Sequence, residues 1–319
     1  MLAEYCPDLL VLAIPLRNKF RGITVREVAL FRGSQGWSEF SPFLEYDDQE
    51  AATWMRSALE AANTPWPKLF HEQIAINATL PIVEPDLVAA ILERFPGSST
   101  VKIKVQDFEK GAEVVEEVLT INTGMRIRLD VNGGWSSKEA ITNLLAYHRR
   151  FGEVFEYVEQ PCKTLPELAE VKSQTAIPIA VDESIRKHLN TDFQGFSRYA
   201  DVAILKWQPL GGFEAAHKIA DEIGLPVVIS SALETGIGIS HGLALAASFQ
   251  ELRTACGLGT VALLECDISS PPVQLSHGYL DVKRREPINF ERYLATSERR
   301  EHWERRIVRT LELIEGKSA

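Results

Sequence analysis

Three acids and three lysines in this 319-residue chain fall where sites are often built, within or at the ends of short apolar runs. Lys102 and Lys104 alternate within TVKIKV, so they share one face of an extended segment. Asp130 lies at the end of MRIRLDV, Glu159 at the end of FEYVEQ, Asp182 with Glu183 closes IPIAVDE, and Lys206 lies at the end of DVAILKW. Asp130, Glu159 and Asp182 would make an all-oxygen site with open positions, which suits Mg²⁺ and leaves room for water or substrate. Asn132 and Glu183 stand beside it as supporting or alternative ligands. Any one of these acids could be no more than a helix cap. Three in one strand order, flanked by lysines that must face inward, point to a site. A lysine turned in from an apolar strand is costly unless its ammonium meets carboxylates; snorkelling to a rim explains one such lysine better than three. The combination implies proton abstraction next to a carboxylate. A metal would hold the enediolate, and lysines on opposite walls would handle protons or charge. The chemistry follows from the constellation; the substrate does not.

Those residues need elements that bring them together. Strand candidates run over 74–80, 100–105, 125–131, 155–160, 177–183, 201–207, 225–231 and 252–257, with starts 22 to 30 residues apart and helical segments between them. Eight such units predict a (β/α)8-type barrel, whose strand ends converge on one rim. The first and last strands carry the weakest patterns. Ahead of them, TVREVALF (24–31) and WSEFSPF (37–43) flank the turn GSQG and predict a hairpin with one wet face. A helix over 48–62 follows, broken by NTPWP. The segment after Ser270 does not fit another unit and is expected to return to the N-terminal segment. The chain finishes with a charged helix whose basic cluster is read as a solvated face.

Composition narrows the classes. Hydrophobic residues make up 45% and charged residues 24%, which excludes a disordered or low-complexity chain. Lys plus Arg is 34 against 44 for Asp plus Glu, a formal charge of −10. That argues against a nucleic-acid partner but not against a small carboxylate substrate met by a local cluster of cations. Cys6, Cys162, Cys256 and Cys266 form no CxxC pair, which favours a reducing compartment. No basic leader and no run of about 18 uncharged apolar residues is visible, so a soluble cytoplasmic protein without a membrane partner is expected. The oligomeric state is left open.

Competing motifs fail. GGFEAA (211–216) and GGW (133–135) lack a GxGxxG pattern, ISSALETG is no GxSxG elbow, and His71-Glu72 stops short of HExxH. His148, His217 and His241 sit in helical stretches as surface or packing residues. Trp135 and Trp207 adjoin site residues and could line a pocket or simply pack.

KIK at 102–104, LDVNGGW at 129–135, EQP at 159–161, VDES at 181–184 and ILKWQP at 204–209 resemble the enolase superfamily in its muconate-lactonizing-enzyme-like branch. The resemblance covers nearly the whole chain. It implies a modified TIM barrel, (β/α)7β, with a small α+β capping domain. The implied units are 1–70 for the N-terminal capping domain, 71–269 for the barrel and 270–319 for a C-terminal segment returning to the cap. IPLRNKFRGITVRE, GWSEFSPF, VVISSALETGIGI and CGLGTVALLECDI are most similar to the o-succinylbenzoate synthase family, of the short actinobacterial kind. That likeness implies a lyase of menaquinone biosynthesis. Its members dehydrate 2-succinyl-6-hydroxy-2,4-cyclohexadiene-1-carboxylate to 2-succinylbenzoate.

Residue by residue, the resemblance makes Asp130, Glu159 and Asp182 the Mg²⁺ ligands. Lys104 matches the lysine that takes the α-proton and returns it to the departing hydroxyl. Lys206 matches the charge-stabilising lysine opposite, and Lys102 the partner that holds Lys104 and the substrate carboxylate. Ser231, Gly257 and Leu258 are expected to face the succinyl arm, and Arg21, in a lid loop near 17–22, a substrate carboxylate. The alternative with the same site is 1,1-proton transfer, as in N-acylamino acid racemases and dipeptide epimerases. CGLGT at 256–260 lacks the acidic DxD typical of the epimerases.

Overall fold

The protein is described by a computed structural model over residues 2–189 and 192–316. Residue 1 of the expected capping unit and 317–319 of the expected C-terminal unit lie outside the described residues.

The N-terminal part is a three-stranded antiparallel sheet, β1 (Leu10–Phe20), β2 (Ile23–Gly33) and β3 (Gly36–Phe40). The helix Asp48–Asn63 packs on it and is started by Asp47, which accepts the Glu50 N–H at 2.8 Å. The expected wet face is absent over 28–31, where every residue is buried. Val28 and Leu30 pack toward Leu264 and Ile268 near the barrel end, while Ala29 and Phe31 join the large core on the other face. A strand covered on both sides loses the polar alternation of a half-exposed one.

The barrel sheet follows β4 (Gln73–Ala75). It contains β5 (Ala78–Leu80), β6 (Thr100–Lys104), β7 (Arg126–Asp130), β8 (Phe155–Glu159), β9 (Ile179–Val181), β10 (Val202–Leu205) and β11 (Val227–Ile229), in that order and all parallel. The expected strand at 74–80 is thus two short pieces, β4 pairing instead with Tyr279–Asp281. The expected eighth strand is reduced to Cys256–Gly257, which bridges Ile76 on one edge and Ser230 on the other. Four backbone hydrogen bonds of 2.7–3.0 Å close the ring there, from Cys256 to Ala75, Asn77 to Cys256, Gly257 to Ile229 and Ser231 to Gly257. The fold is therefore a modified TIM barrel with seven regular strands, one minimal closing element and a small separate cap.

The C-terminal helix Ser297–Ile314 packs on the helix Asp48–Asn63. Arg300 and Arg305 lie on a solvated face, paired with Glu304 and Glu301 of the same helix, but three other arginines tie the helix to the cap. Arg306 is buried and donates to the carbonyls of Phe43 and Tyr46 at 3.0 and 2.7 Å, Arg299 pairs with Glu27, and Arg309 with Asp48. These three arginines serve as cross-ties, with their stems packed and their heads spent on carbonyls and carboxylates. Among the described residues no helix is long and apolar enough to cross a membrane.

Candidate active site

Strand register sets the site. Lys104 lies opposite Asp130 across β6 and β7, and Asp130 opposite Glu159 across β7 and β8, so these three share one level at the C-terminal rim. Asp182 directly follows β9, and Lys206 directly follows β10. Three strands separate β6 from β10, which puts Lys104 and Lys206 on opposite sides of an eight-element ring.

Each of these charges is paired; Lys102, Asp130, Glu159 and Asp182 are buried, and Lys104 and Lys206 are partly so. Lys102 Nζ lies 3.0 Å from Asp130 Oδ2 and 3.1 Å from both Glu159 oxygens. Lys104 Nζ donates to Asp130 Oδ2 at 3.0 Å and to Asn132 Oδ1 at 2.6 Å, and it stands 5.1 Å from the Phe20 ring of the cap. Lys206 Nζ is bonded to Asp182 Oδ2. Asn132 passes a hydrogen bond to Glu183 Oε1 at 3.1 Å. Burial alone would lower the pKa of Lys102, but Asp130 and then Glu159 outweigh it and hold the group well above its ordinary value. For Asp130 burial works upward, and Lys102 with Lys104 overcomes it, keeping the carboxyl far below the usual range. Glu159 goes the other way, to about 7, because burial and the neighbouring Asp130 charge exceed its share of Lys102. Lys206 is raised, Asp182 overcoming its burial.

These carboxylates are held by ammonium groups; among the described residues no three His, Cys, Asp or Glu side chains are gathered into a metal-holding cluster. The donor set nevertheless fits a hard divalent cation. Asp130 Oδ1 and Glu183 Oε2 are buried with no hydrogen-bond partner, and the acids around them raise one another's pKa. A cation between them would supply the missing partner and cancel that repulsion.

The pocket above these charges is lined by Lys102, Lys104, Asp130, Asn132, Asp182, Glu183 and Lys206, together with Arg21, Ser231 and Gly257. Glu159, 1% exposed and bonded to Lys102 through both oxygens, is not part of the lining. Ser231 Oγ is bonded to the Gly257 carbonyl and to Thr260 Oγ1, both at 2.8 Å. Arg21 stacks on Phe43 at 4.2 Å and donates to the Tyr46 hydroxyl at 3.1 Å. Leu258 is a correction. It is fully buried and does not line the pocket, packing so closely on Gly242 that a Cβ there would come 2.7 Å from Leu258 Cδ2. Successive extended residues face opposite ways, so Gly257 turns inward and Leu258 outward. Trp135 and Trp207 are packing residues outside the lining.

Several lining and supporting residues have no counterpart in the sequence reading. Arg186 lines the pocket, pairs with Glu50 of the cap and stands 5.2 Å from the Tyr46 ring. Gln160 Oε1 accepts the backbone N–H groups of Asp182 and Ser184, each at 3.1 Å, and so fixes the corner carrying Asp182. The EQP motif quoted for Glu159 contained Gln160, and its adjacency to an acid was the available signal.

Family models described as enolase N-terminal domain-like and enolase C-terminal domain-like match residues 11–62 and 86–287. An o-succinylbenzoate synthase of Thermobifida fusca is 45% identical over 279 residues, 85% of this chain and 86% of that protein. One from Mycolicibacterium smegmatis is 43% identical over 299 residues, 92% of each chain. Among solved structures, the L-Ala-D/L-Glu epimerase of Bacillus subtilis matches with a TM-score of 0.75 at 22% identity, covering 88% of this chain and 96% of that one. The muconate lactonizing enzyme of Pseudomonas putida matches at 0.73 and 17% identity, covering 90% and 98%. At such identities the structural likenesses carry the fold alone.

Proposed function

This chain belongs to the o-succinylbenzoate synthase family of the enolase superfamily, and we propose from that premise a syn-dehydration carried out by the lysines of the barrel rim. The substrate is 2-succinyl-6-hydroxy-2,4-cyclohexadiene-1-carboxylate and the product 2-succinylbenzoate, a carbon–oxygen lyase reaction of menaquinone biosynthesis. The observation that carries this reading over racemisation or epimerisation is the identity of 43–45% over nearly the whole chain to proteins of that activity.

Members of this family depend on a divalent metal. Asp130, Glu159 and Asp182 would hold it as Mg²⁺, which supplies a Lewis acid for charge developing on the substrate carboxylate. Lys104 Nζ, acting through its amine form, takes the α-proton at C1. The C–H electron pair becomes the third ring double bond, the C6–O bond breaks, and the proton leaves with the hydroxyl as water. Lys104 is then neutral again. Its hydrogen bonds to Asp130 and Asn132 support that orientation. The Lys206 ammonium, on the opposite side, offsets negative charge while the proton is away. Lys102 balances Asp130 and Glu159 from below. Arg21, Ser231 and Gly257 surround the remaining space, where the succinyl arm would lie.

The test is absorbance-monitored conversion of the diene with Mg²⁺ and with EDTA, beside a Lys104→Ala protein. Turnover that needs the metal and is lost in the folded variant is expected. A folded, Mg²⁺-loaded wild type that leaves the diene intact refutes the substrate, and turnover retained by the variant refutes the base.

A further inference from the structure

The turn 230–235 forms one wall of the pocket, through Ser230, Ser231, Ala232 and Leu233. Leu233 is left-handed, with φ of 65°. For a residue with a side chain that conformation is strained, and it persists only where the surroundings over-determine it.

Here the surroundings come from the cap. Arg26 of β2, 2% exposed, donates to the carbonyls of Leu233 at 3.0 Å and Ala232 at 3.2 Å, and also to that of Ser41. Glu39 of β3, fully buried, accepts four groups: the N–H of Thr235 at 3.0 Å, the N–H of Gly238 at 3.1 Å, and the hydroxyls of Thr235 and Ser41 at 2.6 and 2.7 Å. Its carboxylate thereby occupies the N-terminus of the twelve-residue helix Gly236–Ala247, where the backbone N–H groups favour negative charge. On the barrel side, Glu234 accepts from Ala232 N at 2.5 Å and Gln208 Nε2 at 3.3 Å, and Gln208 Oε1 accepts Ser41 N at 3.1 Å. The network has both ends of the turn in hand, and none of its hydrogen bonds goes to Asp130, Glu159 or Asp182.

We propose that Glu39 and Arg26 are positioning residues that hold the substrate-facing turn 230–235, so that the cap sets substrate affinity through a strained backbone wall. This rests on the dehydration reading for its substrate. Every group directed at Glu39 is a donor, so a glutamine there keeps one acceptor and turns an N–H toward another donor. An alanine removes all four bonds.

The experiment compares wild type, Glu39→Gln, Glu39→Ala and Arg26→Lys at saturating Mg²⁺. It reads kcat and KM per folded enzyme, the Mg²⁺ activation constant, 2-succinylbenzoate affinity by calorimetry, and amide exchange over 230–238. Glu39→Ala is expected to raise KM and weaken product binding by about tenfold or more, with Glu39→Gln between it and wild type. The value of kcat and the Mg²⁺ constant stay within about threefold, and exchange over 230–238 accelerates. A lower melting temperature with KM, product affinity and exchange all at wild-type values overturns the proposal. If Glu39→Ala does not fold, Glu39→Gln and Arg26→Lys decide by the same readouts. A wild type that fails to convert the diene refutes the dehydration reading, whereas normal wild-type turnover with an unmoved KM in the folded variants refutes this proposal alone.

Discussion

Acidification from pH 7 to pH 5 should cost this protein about 2 kcal/mol through a single side chain, His241. The residue sits in the wholly buried helix Gly236–Ala247, among the rings of Trp66, Trp207 and Phe213. Its Nδ1 accepts Trp66 Nε1–H at 3.0 Å and its Nε2 faces the Trp37 carbonyl at 3.1 Å. An indole nitrogen only donates, so a proton on Nδ1 would set N–H against N–H. Burial, and secondarily Arg284, push the pKa from 6.5 to about 3 against the pull of the Trp37 carbonyl. Between those two values the unfolded chain binds a proton that the folded chain refuses, so stability falls as pH falls. Integrating the linkage from pH 7 to pH 5 gives the loss of about 2 kcal/mol, and moving the folded value by one unit changes it by less than about 0.1 kcal/mol. Glu39 has the opposite sign. Burial and Glu234 raise it to about 7, so the folded state takes up its proton first and gains a comparable amount over the same range. The whole-protein profile therefore hides the effect, and a difference is needed. In His241→Gln the amide oxygen can accept from Trp66 and the amide nitrogen donate to Trp37, with nothing left to titrate. Urea unfolding in EDTA at both pH values, with coincident fluorescence and circular dichroism transitions, gives the comparison. The variant should gain about 2 kcal/mol relative to wild type on going from pH 7 to pH 5. Parallel profiles, within about 0.5 kcal/mol, would refute the buried neutral imidazole.

Two further outcomes follow from the geometry. Lys206→Ala should lower kcat by about 10²- to 10³-fold while calorimetric affinity for 2-succinylbenzoate changes far less, since a charge stabiliser acts mainly in the transition state; an unchanged kcat removes Lys206 from the reaction. Gly212→Ala should destabilise by on the order of 2 kcal/mol, read as a lower urea midpoint with unchanged kcat per folded enzyme, because φ is 110° and the new Cβ would come 1.7 Å from Glu60 Oε2. An unaltered midpoint would mean that the Glu60 contact contributes nothing.

Much of the barrel was legible because its strands are buried on both faces and read as short apolar runs at a steady period. The rim charges were legible by position, since Asp130, Glu159 and Lys206 each fall at the C-terminal end of such a run. Legibility stopped where structure is made by single residues. Cys256 and Gly257 close the ring with four backbone bonds, which need no apolar pattern at all. With no regular strand to set the alternation there, Gly257 and Leu258 were grouped as one site although Gly257 lines the pocket and the Leu258 side chain packs away from it. The doubly covered stretch of β2 was likewise misread as half wet, because one covering element lies over two hundred residues away, at Leu264 and Ile268.

The cap's contribution was the least legible, and the reason is a device used twice. Glu60 accepts the N–H groups of Phe213 and Glu214 at 2.6 and 3.2 Å, at the start of the helix Phe213–Ile223. Glu39 does the same for Thr235 and Gly238 at the start of the helix Gly236–Ala247. Local capping places the acceptor at the residue before the helix, where a sequence pattern can find it. Here the carboxylates arrive from 153 and 196 positions earlier. At the first of these starts the carboxylate leaves a glycine in the barrel sequence, since a Cβ at Gly212 would come 1.7 Å from Glu60 Oε2. GGFEAA lacks the GxGxxG pattern of a dinucleotide loop, yet glycine before a helix leaves its N-terminus open to an anion. The anion at this helix start is the cap's own carboxylate, Glu60. Two barrel helices thus begin on charges the cap supplies, one of them immediately behind the pocket wall. Cap and barrel are consequently bound by buried charge at the substrate face, and a change in β3 reaches the active site without touching a rim residue.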